Sequence, residues 1–182
     1  MSRIEDHWSR IAGFHVQDDG DIGVVWIAHD TTANVTHLYE SAILRSEPLA
    51  VIAECIANRG RWIPVAWHTK AKEFVEKLQN SDGEGYRGIN FLPEPCSDSQ
   101  AIAEVISREI WQRMSGSQFR VDKRVGEWLE EYRGFYRDGS EIPMDGYPLM
   151  AATRHAIEML HYAKQNALKE SSKLNYPKVA IL

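Results

Sequence analysis

Two histidines, His15 and His68, stand near the ends of predicted β-strands. Neutral imidazole binds zinc and manganese well, so two such side chains at adjacent strand ends are suited to form part of a metal site. The alternative is a structural role, because a lone histidine on a strand more often lies half-buried and is satisfied by one hydrogen bond. The sequence leaves both interpretations open.

Carboxylates also lie close to the predicted strand ends. Asp18, Asp19 and Asp21 follow the first predicted strand, and Asp145 precedes the final predicted helix. Such acids can bend into a site and bind Mg²⁺ or Mn²⁺, which prefer oxygen ligands. The structural alternatives are a polar turn for the cluster and a stabilising helix-dipole contact for Asp145. The candidate metal ligands are therefore His15, Asp19, Asp21, His68 and Asp145.

The charge balance argues against a strongly basic surface for gripping DNA. The 182 residues include 21 Lys and Arg against 26 Asp and Glu, giving a formal net charge of -5. Neutralisation of phosphates by basic side chains supplies most non-specific affinity for DNA. A local basic face remains a candidate nucleic-acid contact, although a solvated helix face explains it equally well. Its members are Arg108, Arg113, Arg120, Lys123 and Arg124.

Other bulk features indicate a single domain in a reducing cytoplasm. The two cysteines, Cys55 and Cys96, do not have the spacing of metal ligands, and the N-terminal sequence lacks the apolar segment of a signal peptide. No apolar run approaches the roughly 20 residues that span a bilayer, so we expect no membrane association. The length fits one domain with one core.

The N-terminal part of the chain predicts a meander of three antiparallel strands. Ile22–Ala28 is apolar without alternation, which is typical of a central strand buried on both faces. Trp8–Val16 and Val35–Ile43 flank it beyond polar turns and predict the neighbouring strands. A helix follows, with Pro48 near its start and Gly60 at its end.

The following segment, Trp62–Trp67, predicts a fourth strand, in which Pro64 favours an edge or unpaired position because it has no N–H. Later elements are predicted in turn as a helix at Lys70–Asn80, a glycine-rich loop at 80–88, a strand at Gly88–Leu92, a strand at Phe119–Val121, a helix carrying Trp128, an arm with a turn at Asp138-Gly139, and a final helix from about Pro148 to about Ala167.

One more helix is predicted between the last two strands, with Ser97 and Gln100 as a capping box. Its apolar residues recur at helical spacing and predict a buried stripe consisting of Ile102, Val105, Ile106, Ile110 and Met114. The element order, three strands and then alternating helices and strands, is that of an RNase H-like α/β fold, a mixed sheet with helices on both faces. Periodicity alone leaves other arrangements open.

Nearly the whole chain, from about Trp8 to about Tyr162, resembles the nuclease domain of phage terminase large subunits. The similarity is sharpest at IPVAWHTK in 63–70, in the helix and strand between Asp98 and Val121, and at WLEEYRGFYRDGS followed by AATRHA. No ATPase half is expected, because the sequence has no GxxxxGK[ST] phosphate loop. We expect a nuclease-type domain at 1–167 and a tail at 168–182.

The resemblance also assigns the positions of the chemistry. Family members hold two divalent ions with acids on the first strand, at the end of the fourth strand and on the last helix. Two ions roughly 3.5–4 Å apart need several carboxylates to neutralise them. Here His15, Lys70 and Ala151 occupy the three matching positions. The resemblance therefore implies a scaffold that has lost its two-metal chemistry.

The leading prediction is a catalytically degenerate terminase nuclease domain, from a bacteriophage or prophage, that takes part in viral DNA packaging in the host-cell cytoplasm. Its expected partners are DNA and other subunits of the packaging motor, and no cofactor is predicted. One alternative is an active endonuclease with relocated ligands, which would use Mg or Mn. Another is a module that docks on a partner through the apolar tail Val179–Leu182.

Overall fold

A mixed six-stranded sheet forms the centre of the protein, in a computed structural model that describes residues 4–80, 88–135 and 146–166. The strand order is β5-β4-β1-β2-β3-β6, with β1, β2 and β3 antiparallel and the three short strands added in parallel. The strands are β1 Ser9–Val16, β2 Ile22–Asp30, β3 Val35–Leu44, β4 Pro64–Ala66, β5 Asn90–Phe91 and β6 Phe119–Val121.

Helices cover both faces of this sheet. They are α1 Leu49–Ala57, α2 Lys72–Asn80, α3 Gln100–Ser115, α4 Gly126–Phe135 and α5 Pro148–Glu158, with short 3-10 helices at Thr69–Ala71 and Leu160–Tyr162. On one face, Phe14 of β1 packs against Phe74 of α2 with ring centroids 5.9 Å apart. On the other, α5 packs against β1 and β2. The predicted RNase H-like architecture is confirmed.

The central strand β2 has the environment that its sequence predicts. Residues 22–28 are all buried, because β1 and β3 pair with both edges of the strand and helices cover both faces. A run without alternation would otherwise expose half of its apolar side chains. The meander of β1, β2 and β3 is therefore the rigid part of the sheet on which the later elements are placed.

Helix α5 lies directly on the backbone of the two central strands. A Cβ at Gly13 of β1 would lie 1.9 Å from the carbonyl oxygen of Ala152, and one at Gly23 of β2 would lie 2.3 Å from that of Pro148. Real Cβ atoms do not approach so closely, so only glycine fits at either position. The last helix is consequently held close to the end of β1 that carries His15.

Two local predictions, for β4 and for the start of α3, are corrected by the structure. Pro64 is not at an edge, because β4 lies between β5 and β1; it is tolerated as the first residue of β4, one residue before the register with β1 begins at Val65. The capping box is wrong: α3 begins at Gln100 after Ser99, and the Ser97 hydroxyl accepts a hydrogen bond from the Ser99 N–H instead.

The buried face of α3 is rotated relative to the predicted stripe. Ile102 and Val105 are 39% and 59% exposed. Ala103, Ser107 and Ile110 are the buried residues, at the spacing of one helix face. The first two are small, and α3 packs against α5 and β6. Close helix packing has selected small residues over the larger apolar ones, whereas Ile106 and Met114 are partly buried.

The last helix is shorter than predicted. It ends at Glu158 rather than near Ala167 and continues as one 3-10 turn. The chain then returns to the sheet, where Lys164 exchanges two backbone hydrogen bonds with Arg10 of β1. The predicted loop at 80–88 falls largely, and the turn at Asp138-Gly139 and the tail at 168–182 entirely, outside the described residues. Within the described part of the chain, no helix is long and apolar enough to cross a bilayer.

Candidate functional site

The parallel pairing of β1 with β4 brings His15 and His68 to the same end of the sheet. The register pairs Ala12 with Val65 and Gly13 with Ala66. Two residues further along each chain, that register places His15 beside His68. The carboxyl ends of neighbouring parallel strands form one edge of a site in open α/β sheets.

A third histidine, His155, completes this cluster from helix α5. The ring centroids of His15 and His155 are 5.3 Å apart, those of His68 and His155 are also 5.3 Å apart and stacked, and those of His15 and His68 are 6.1 Å apart. All three residues are buried: His15 is 3% exposed, His68 3% and His155 4%. We call this group the histidine cluster.

His15 and His155 form a direct hydrogen bond. The Nδ1 atom of His15 lies 3.1 Å from the Nε2 atom of His155. Burial lowers the pKa of His15 to about 3, with further lowering by the charges of His68 and Arg154. Burial, followed by His15 and His68, also holds the pKa of His155 well below its usual value. Both rings are therefore neutral, so one nitrogen of the pair donates and the other accepts.

His68 is held by the connections that follow β4 and β5. Its Nδ1 accepts a hydrogen bond from the Lys70 N–H at 3.2 Å, and its Nε2 lies 2.7 Å from a carboxylate oxygen of Asp98. Thr69 donates its hydroxyl proton to the same carboxylate. These partners assign the proton of a neutral His68 to Nε2. Asp98 is thus a member of the site that sequence reasoning did not identify.

The two remaining family positions lie near the cluster but make different contacts. Lys70 extends to Asp18, with Nζ 3.1 Å from the carboxylate, and both side chains are substantially exposed. Ala151 is 1% exposed and lies one helical turn before His155 on the same face of α5. Because side chains tilt toward the helix N-terminus, the His155 ring leans toward the turn that carries Ala151.

Two of the predicted acidic ligands, Asp19 and Asp21, make other contacts instead of joining this cluster. Asp19 accepts a hydrogen bond from the Asp21 N–H, which is the geometry of a polar turn, and Asp21 pairs with Arg45 at 3.6 Å. These contacts agree with the structural interpretation of the Asp18–Asp21 segment. Asp145 lies outside the described residues.

The predicted basic face divides into two parts. Arg108 and Arg113 belong to α3, where Arg113 is paired with Glu109 at 2.7 Å. The other three residues border a surface groove of about 380 Å³ on β3 and β6, lined by Arg120, Lys123, Arg124 and neighbouring residues. Within it, Arg124 makes a bidentate pair with Asp122, which offsets part of the positive charge.

A half-buried carboxylate fixes the start of α5. Glu131 of α4 accepts hydrogen bonds from the N–H groups of Leu149 and Met150, at 2.9 and 3.1 Å. These N–H groups belong to the first turn of the helix, which has no internal partners for them. Burial nevertheless raises the pKa of Glu131 to about 7. The helix that carries His155 is therefore positioned by a side chain whose charge is costly to bury.

The histidine cluster does not suit the paired Mg²⁺ or Mn²⁺ ions of two-metal nucleases. Such ions are held by several carboxylate oxygens, whereas His15, His68 and His155 offer imidazole nitrogens. The ammonium group of Lys70 adds positive charge beside His15. At the three family positions a pair of divalent ions would meet only neutral and cationic groups, and the carboxylate of Asp98 is engaged by His68 and Thr69.

Solved structures with similar folds include three terminase nuclease domains. The P22 large terminase nuclease domain matches with a TM-score of 0.73 and 19% identity over 94% of this chain and 90% of that chain. The nuclease domain of the bacteriophage SPP1 large terminase, with bound Mn, matches with a TM-score of 0.65 and 13% identity over 87% and 88%. The Mn-soaked human cytomegalovirus terminase nuclease domain gives 0.50 and 10% over 91% and 91%.

The chain has the fold of a large terminase nuclease domain. No sequence-family description matches it, and no curated protein sequence does so either. Coverage of this terminase fold is nearly complete in both directions for the P22 and SPP1 domains. The expected family resemblance is confirmed at the level of the fold, and the histidine cluster lies where β1, the end of β4 and the last helix meet.

Proposed function

We propose that this chain is a nuclease-like domain of a viral DNA-packaging terminase that has lost two-metal cleavage and retains a structural or binding role. The observation that carries the proposal is the hydrogen bond between His15 and His155. Two buried, neutral imidazoles fill the space at the end of β1 and contact each other. Their low pKa values keep them uncharged at neutral pH, so they are neither anionic ligands nor a carboxylate base.

The same contacts argue against an activated water between two metal ions. Two-metal cleavage requires the ions to bind the attacking and the leaving oxygen together. Lys70 is instead paired with Asp18, which removes that acid from any nearby cation, and Ala151 has no ligand atom. We therefore propose that the domain acts by binding other molecules at its surface and not by cutting DNA.

A plasmid-nicking assay tests the loss of cleavage. Purified protein should leave supercoiled plasmid intact in about 10 mM Mg²⁺ or Mn²⁺, since none of the three family positions holds a carboxylate. Metal-dependent nicking that disappears in Asp19→Asn or Asp145→Asn would overturn the proposal in favour of relocated ligands. Nicking that is unchanged in both variants and in Lys70→Gln would be assigned to a contaminating nuclease and removed by further purification before scoring.

The proposed binding partner is DNA, together with other subunits of the packaging motor. The groove bordered by Arg120 and Lys123 is the surface that fits phosphate groups, because both side chains are exposed and lie on adjoining positions of β6 and its loop. Each lost phosphate contact should reduce the slope of log affinity against log salt by about 0.9. Arg120→Ala and Lys123→Ala should show this change in mobility-shift titrations, while Arg133→Ala on α4 should not.

A further inference from the structure

A second group of donor atoms shares His155 with the histidine cluster. The Cys96 thiol, one nitrogen of His155 and one carboxylate oxygen of Glu158 all lie within 4.8 Å of one another. His155 and Glu158 are three residues apart on α5, so their side chains project from the same helix face. Cys96 follows β5 and is held there by the hydrogen bond from its N–H to Trp67 O at 2.7 Å.

We infer that Cys96, His155 and Glu158 form a binding site for a single zinc ion. The chemistry of these donors selects the metal, because thiolate and imidazole are ligands of Zn²⁺ and not of Mg²⁺. The site uses different residues and a different ion from the paired-metal site of terminase nuclease domains. It also stands independently of whether the chain cuts DNA.

The hydrogen bond between His15 and His155 orients the His155 ring for metal binding. Its Nε2 is engaged with His15 Nδ1, which leaves Nδ1 of His155 as the nitrogen for the metal. Histidines that bind metals ordinarily use their other ring nitrogen in such a hydrogen bond, which fixes the tautomer and ring orientation. We therefore assign His15 as a positioning residue for the metal ligand.

A small cavity adjoins two of the three donors, His155 and Glu158. It has a volume of about 10 Å³, close to the volume that one water needs, and is also lined by Ser97 and neighbouring residues. Glu158 is already oriented, since one of its oxygens accepts a hydrogen bond from the Ser97 N–H at 2.8 Å. A carboxylate has a second oxygen for a cation.

The charge balance requires both acidic ligands. As the zinc–sulfur bond forms, the Cys96 thiol releases its proton to water, and the thiolate with the Glu158 carboxylate neutralises Zn²⁺. Without metal, burial raises the pKa of Cys96, and its thiol donates to the carbonyl oxygen of His155 instead. Arg154 also borders the cavity and repels cations, so removal of either acidic ligand should abolish binding rather than weaken it slightly.

Cobalt spectroscopy of the folded protein tests this site. Co²⁺ substitutes for zinc and shows a thiolate charge-transfer band only when sulfur is bound. The chain has two cysteines, so in Cys55→Ser protein any such band must come from Cys96. We expect one equivalent of Co²⁺ to give this band, and one equivalent of Zn²⁺ to remove it. Absence of the band in Cys55→Ser overturns the inference, as does its persistence in Cys96→Ser on its own.

Variants of the other residues separate ligands from bystanders. Glu158→Gln should lose the band, whereas His161→Gln, an exposed histidine beyond α5, should keep it. His15→Phe should lower zinc affinity about 10- to 100-fold, and His15→Asn, which retains an acceptor, should recover most of it. Equal affinities in the two His15 variants would overturn the positioning role. If Cys96→Ser fails to fold, the alkylation rate of the single thiol in Cys55→Ser is measured with and without zinc. Zinc should slow the alkylation, and equal rates count against the site.

Discussion

His15 Nδ1 and His155 Nε2 form a 3.1 Å hydrogen bond between residues that are 140 positions apart in the chain. The bond joins the first strand to the last helix at the end of the sheet where β1 and β4 run side by side. It fills that end of the sheet with two neutral rings. The consequences of this contact can be measured without any assay of DNA cleavage.

Acid should destabilise the protein through these two histidines. Burial lowers the pKa of His15 to about 3, and the pKa of His155 lies well below 6.5. Each ring titrates near 6.5 once the chain unfolds, so the unfolded state binds more protons as the pH falls from about 6.5 toward 3. The free energy of unfolding should fall over that window by up to about 2.7 kcal/mol per pH unit for the two groups. Urea unfolding at a series of pH values measures this slope.

Two variants test whether His155 contributes to this pH dependence. His155→Gln should remove about one proton from the pH dependence, which halves the expected contribution of the pair. The exposed His161→Gln should leave the slope unchanged. A slope that is the same in the parent and in His155→Gln would contradict the assignment, whatever the absolute stability of the variant.

Glu131 should give an opposite pH dependence. Burial raises its pKa from 4.5 to about 7, so the folded state binds its proton more tightly than the unfolded chain does. The contribution of this group to the free energy of unfolding should therefore fall as the pH rises from about 4.5 to about 7. Glu131→Gln keeps an oxygen acceptor for the N–H groups of Leu149 and Met150 and carries no charge.

The difference in unfolding free energy between the parent and Glu131→Gln isolates this effect from that of the histidines. The variant should gain stability relative to the parent across the window and hold that gain above about pH 7. The neighbouring, exposed Glu130→Gln serves as the control and should show no such trend. A constant difference at all pH values would mean that Glu131 titrates normally in the fold.

Gly13→Ala should destabilise the protein strongly. The new Cβ would lie 1.9 Å from the carbonyl oxygen of Ala152, so α5 must move away from β1. Overpacking of this kind costs about 1–3 kcal/mol and more where backbone is the obstacle. The matched control is Gly126→Ala at the start of α4, where a Cβ meets nothing within 4 Å and stability should be unchanged or slightly improved. Thermal melts that rank the two variants equally would contradict the close approach.

Replacement of His15, Lys70 and Ala151 by aspartate should create a cation site. Three carboxylates in a partly buried cleft raise one another's pKa and oppose folding, and a divalent ion relieves this repulsion. Mn²⁺ should then stabilise the triple variant by about 2.7 kcal/mol at one hundred times its dissociation constant. The parent and a neutral triple variant, His15→Asn, Lys70→Gln and Ala151→Asn, should not respond. Absence of a Mn²⁺-dependent gain in the aspartate variant would show that the three positions do not converge.

The sheet could be predicted from local patterns because its core strands carry strong ones. The unalternated run in β2 requires cover on both faces, and that requirement is met. The face of α3 could not be predicted in this way. Ile102 and Val105 fit an apolar stripe, but close packing on α5 places the smaller Ala103 and Ser107 inside. The spacing of apolar residues along a helix does not indicate how closely that helix approaches its neighbour.

Only part of the site could be predicted, because some of its members are brought together by contacts between distant parts of the chain. His15 and His68 were identified because they lie near strand ends, and the parallel register of β1 and β4 depends on few local signals. His155 and Asp98 were missed, since each contributes through a contact that spans the fold. The one local signal was the position of His155, four residues after Ala151 on the same helix face. Cys96 and Glu158 carried no spacing that marks them as a pair.

The outermost strands of the sheet have a bearing on the behaviour of the protein at high concentration. β5 has two residues and β6 has three, beside central strands of eight to ten. The paired backbone of Arg10 and Lys164 also covers part of β1 that the short β4 leaves open. Long open edges recruit strands from other molecules, and short or covered ones do not. The two outermost strands and the Arg10 end of β1 therefore offer little free backbone for pairing, so crowding of many copies should not draw the sheets together at these edges.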